Sequence, residues 1–193
     1  MLYGNVIKSN INKDIVDQLK NNWNDFRAAL KNLDEMLKEF KIETSRFASG
    51  WNVLLPIIYS IYYNPDYDTT KEAIKCYLLR AILFTYFQSG TTSKLQQMKN
   101  NINNFNFEIT TEMLDQISEL RISDAKIEDV ITAEKGSRIA GEALYYLSLE
   151  HINKGIKYEQ DHLHPEDRFN ESKPLKVSME DWKRWRTMRN QLP

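Results

Sequence analysis

From Lys13 to Phe40, apolar residues recur at Ile15, Leu19, Trp23, Phe26, Leu30, Leu33, Leu37 and Phe40, in steps of three and four. That spacing gathers side chains onto one face of a helix and scatters them on a strand. No Pro or Gly interrupts the run, and Lys, Asp and Glu fill the other faces. The pattern predicts one long amphipathic helix packed on a helical bundle.

The same reasoning extends to about Leu149. VLLPIIYSIYY (Val53 to Tyr63) and CYLLRAILFTYF (Cys76 to Phe87) are the most apolar runs. The first is too short to span a bilayer and carries Pro56; the second is broken by Arg80. Both read as buried helices, one from about Trp51 to Tyr63 with a kink at Pro56, the other from Thr69 to about Gln88. Leu79 is expected in the core. Thr69 and Glu72 can form a capping box, and Ser89-Gly90 is the expected stop. Further helices are expected over Thr91 to Ile102, over a segment capped by Thr110 or Thr111 and ending near Leu120, over Asp124 to Ala133, and over Ser137 to Leu149. Strands do not alternate with helices, and no Gly-rich phosphate loop is present.

Charge and cysteine content narrow the function classes. Lys+Arg 26 against Asp+Glu 27 leaves a net charge of −1. No global field draws nucleic acid or membrane, so such partners must be read locally. The single Cys76 excludes an intrachain disulfide framework and a Cys-based zinc cluster, and points to a cytoplasmic setting.

The vocabulary changes after His151. All three histidines lie between His151 and His164. Ile156 to Gln160 alternates apolar and polar, as a short strand does. Asp161-His162 follows, then His164-Pro165. A carboxylate is a hard oxygen ligand suited to Mg²⁺. On an extended segment the adjacent imidazole faces the other side, and its pKa near neutrality suits it to activating water. The bland alternative is a polar loop with His162 satisfied by backbone.

Tyr158 to Pro165, followed by Phe169, resembles the first strand of an HNH (His-Me finger) nuclease. Phe47 to Trp51, Leu54 to Tyr59, and Phe84 to Gly90 with Lys94-Leu95 resemble the helical segment preceding that finger in large bacterial proteins related to GmrSD-type modification-dependent restriction enzymes. The likeness covers about Arg46 to Pro193 and implies a metal-dependent DNA endonuclease of bacterial defence. It implies His162 as general base, Asp161 as metal ligand, His164 as a substrate or neighbouring contact, and Mg²⁺ or Mn²⁺ as cofactor. It also implies a ParB-like N-terminal domain in the same parent chain. The finger's second strand and helix are not seen before Pro193, so this fragment is expected to be truncated and inactive alone.

The expected fold is therefore mainly α: a helical domain over 1–150, then the start of an incomplete ββα-metal finger over 151–193. The last helix, opened by Ser178, carries Trp182 and Trp185 at i, i+3 with Lys183, Arg184, Arg186 and Arg189. These basic residues are candidate DNA-phosphate contacts; the alternative is a solvated face beside two core tryptophans. The rival function is a non-catalytic helical protein-interaction or nucleic-acid-binding domain.

Overall fold

A computed structural model describes residues 13–44, 47, 50–134 and 136–147. These residues are mainly α-helical, and no β-strand occurs among them. Eight α-helices follow in chain order: α1 Lys13–Asn21, α2 Trp23–Glu39, α3 Leu55–Tyr63, α4 Lys71–Leu83, α5 Thr91–Asn104, α6 Thr111–Asp115, α7 Asp124–Ile131 and α8 Arg138–Leu147. The chain divides into two compact units, Met1–Arg121 and Ile122–Pro193. The expected finger over 151–193 lies outside the described residues.

The predicted long helix is present with one interruption. Asn22 leaves helical geometry at φ −103, ψ 16. Its backbone N–H and its side-chain Nδ2 both donate to the Gln18 carbonyl, at 3.1 and 3.0 Å. An asparagine amide competes with the backbone for a carbonyl, which is why Asn loosens a helix interior. The ladder then resumes, with Phe26 N–H on the Asn22 carbonyl at 3.0 Å. Along the apolar row, Leu33, Leu37 and Phe40 are buried while Trp23 and Leu30 are exposed.

Pro56 starts a helix instead of kinking one. It stands second in α3, where a missing N–H breaks no intrahelical bond. A 3₁₀ turn over Gly50–Val53 leads in. Ile57 and Ile61 are buried, and α3 packs on both α2 and α5.

α4 differs from expectation at both ends. The Thr69–Glu72 capping box does not form; a 3₁₀ turn over Tyr67–Thr70 precedes the helix, and the Thr70 hydroxyl donates to the Tyr67 carbonyl at 3.0 Å. The helix stops at Leu83, not Gln88. Thr85 turns left-handed at φ 51. Its N–H reaches the Ile82 carbonyl at 3.2 Å, and Tyr86 N–H reaches the Ala81 carbonyl at 2.9 Å. This pair of bonds is a Schellman closure, usually reserved for Gly. α2 closes the same way through Lys41 (φ 55), with Ile42 N–H on the Leu37 carbonyl at 3.0 Å. α5 ends on two left-handed residues, Asn106 (φ 53) and Phe107 (φ 65), with Phe107 N–H on the Ile102 carbonyl at 2.8 Å. In the first two, the residue after the turn, Tyr86 or Ile42, is buried. Burial of that residue holds the strained corner in place of a glycine. Leu78 is wholly buried, while Leu79, the expected core residue, is only half-buried.

Thr110 caps α6 as expected, its hydroxyl accepting from Met113 N–H at 3.1 Å. Beyond Asp115 the chain tightens into turns that bury Ile117 and Leu120. In the second unit, Ser123 caps α7 and the Ser137 hydroxyl accepts from Ala140 N–H at the start of α8.

Candidate functional site

Asp161, His162, His164, Lys183, Arg184, Arg186 and Arg189 all lie outside the described residues. What can be built upward is the helical part that the resemblance involves.

Two of its segments meet. Leu55, Pro56 and Tyr59 of α3 and Leu95, Lys99 and Ile102 of α5 line a shallow open recess of about 10 Å³, room for little more than a water. That is smaller than the clefts that enclose a small-molecule ligand. Beside it, the Tyr59 hydroxyl donates to Asn103 Oδ1 at 2.7 Å. The buried Ser60 hydroxyl donates to the Phe107 carbonyl at 2.6 Å, and the Phe107 ring stacks on Tyr63 with centroids 4.8 Å apart. These contacts fix the strained turn after α5.

The corner from Phe84 to Lys94 is equally well tied. Lys94 Nζ donates to the Tyr86 carbonyl at 2.6 Å and lies 4.9 Å from the centre of the Tyr86 ring. The Tyr86 hydroxyl bonds to Gln97 Oε1 at 3.1 Å. Gly90, left-handed at φ 63, is the N-cap of α5 and not the stop of α4. Thr91 Oγ1 donates to the Phe87 carbonyl and Ser93 Oγ to the Gly90 carbonyl. Lys94 therefore serves the corner.

Arg80, which interrupts the apolar run in the sequence, is buried. Its guanidinium donates to Asp115 Oδ1 at 2.6 Å, tying α4 to α6. Tyr77 donates its hydroxyl to the Val53 carbonyl at 2.9 Å. Burial drives the Tyr77 and Tyr86 hydroxyls well above the ordinary tyrosine range, with Glu119 adding to the effect at Tyr86. Both stay protonated at neutral pH and act as hydrogen-bond donors, not as acid–base groups. Among the described residues no three His, Cys, Asp or Glu side chains gather as a metal site. No described helix is long and apolar enough to cross a membrane.

No protein-family model matches this sequence, and neither a curated protein nor a solved structure matches it.

One feature escaped the motif reading. The 35 residues from Ala73 to Phe107 contain no Asp or Glu. At the chain's average of 27 acids in 193 residues, such a stretch would hold about five. Charge counted over the whole chain hides this local absence, whereas charge counted along the chain reveals it. The stretch includes all of α5, whose outward row is Thr92, Gln96, Asn100 and Asn104, every one exposed.

Proposed function

We propose that this chain forms part of a metal-dependent DNA endonuclease of the bacterial-defence type. The observation that carries the reading is Asp161-His162 with Pro165 three residues on, directly after the alternating Ile156–Gln160 segment. His162 accepts the proton of the attacking water. Asp161 helps hold Mg²⁺ or Mn²⁺, which when bound polarises the scissile phosphodiester. His164 contacts substrate or supports its neighbours, and Lys183, Arg184, Arg186 and Arg189 engage phosphates. A ParB-like domain in the same parent chain is the expected companion. The helical part is compatible with this reading: two of the segments that carry the resemblance meet where Leu55 and Tyr59 of α3 pack near Leu95 of α5.

The test is plasmid cleavage by the natural full-length protein with Mg²⁺ or Mn²⁺. His162→Ala should lower the rate about 10²–10⁴-fold, the usual worth of a general base, and leave DNA binding intact. Asp161→Ala should raise the metal concentration needed for cutting. Full activity in His162→Ala, or no cutting by the unaltered protein, overturns the assignment.

A second reading, a non-catalytic helical interaction domain, is favoured by one observation. The exposed Trp23 and Leu30 continue the row that Leu33, Leu37 and Phe40 bury. Trp23→Ser with Leu30→Ser should then abolish association with a protein partner without touching stability. Unchanged association removes this reading.

A further inference from the structure

We draw no further inference here: the strongest candidate, the exposed apolar patch of Trp23 and Leu30 on the N-terminal half of α2, carries none, because nothing in the structure shows what covers it.

Discussion

α4 and α5 are consecutive helices of similar length, and they solve opposite problems. α4 is apolar around much of its circumference and buries Ile74, Tyr77, Leu78, Ala81 and Ile82. Even its Arg80 is inside, held by Asp115. α5 buries only Met98 and Ile102 and turns a neutral polar row outward. Burial takes up about half of α4, whereas on α5 it accounts only for the inner face and the outer row of neutral side chains meets solvent. Two neighbouring helices of similar length thus differ in how much of their circumference the core uses, and that sets how much stability a substitution on each can cost.

The sharpest test of that contrast is a core truncation. Leu78→Ala should destabilise the protein by about 2–5 kcal/mol in urea unfolding, because the site is wholly buried among other large side chains. Leu79→Ala should cost less, its side chain being only half-buried. Equal losses would mean that α4 is rotated relative to its neighbours.

The buried ion pair comes next. Asp115→Ala strands the Arg80 charge and should cost about 1–3 kcal/mol, reduced from the value for a fully buried pair because the Asp115 side chain is 50% exposed. Arg80→Met keeps the packing volume and removes the charge, so it should cost less than Asp115→Ala. The reverse order would show that Arg80 contributes mainly through its second hydrogen bond, donated to the Leu120 carbonyl at 3.4 Å.

Alkaline titration probes α4 and its corner together. Tyr77 and Tyr86 have folded-state pKa values raised above the unfolded value near 10. Below that value both states are protonated and the stability is fully present. As pH rises past about 10 the unfolded state loses protons first, so stability falls. Tyr77→Phe and Tyr86→Phe should each flatten this alkaline limb of the unfolding free energy. A limb as steep as in the unaltered protein would reassign it to other groups.

Smaller effects separate corner from face. Thr85→Gly relieves a left-handed β-branched residue but adds chain entropy to the unfolded state, for a net gain of about 0.5 kcal/mol. A loss above about 1 kcal/mol would show that the Thr85 side chain is itself a structural contact. Gln96→Ala and Asn100→Ala should shift stability by less than about 0.5 kcal/mol, as exposed positions do. A larger loss would show that the Gln96–Asn100 hydrogen bond itself carries stability.

Existence and type of the helices were legible in the sequence, because apolar spacing reports the helical period directly. So was the cap at Thr110, where a hydroxyl stands just ahead of an amphipathic segment. The DHLHP run after His151 suggests chemistry in the sequence, and it lies outside the described residues. Helix ends were not legible wherever a left-handed residue other than Gly closed them. Lys41 and Thr85 carry no local signal for that conformation, and Asn106 carries only a weak one.

Pattern along the chain is enough to make the described residues mainly helical, since hydrophobic period and capping are properties of sequence neighbours. Only the tertiary structure decided where α4 stops and that Pro56 opens a helix. It alone decided that Arg80 goes inside and that the amides of α5 share an outward row. Those outcomes depend on residues far apart in sequence: Asp115 for Arg80, Gln97 and Lys94 for the Tyr86 corner, and Ser60 and Tyr63 for the turn at Phe107. Burial of the residue after a turn outweighs the local cost of a left-handed backbone, and burial is set by the whole packed unit.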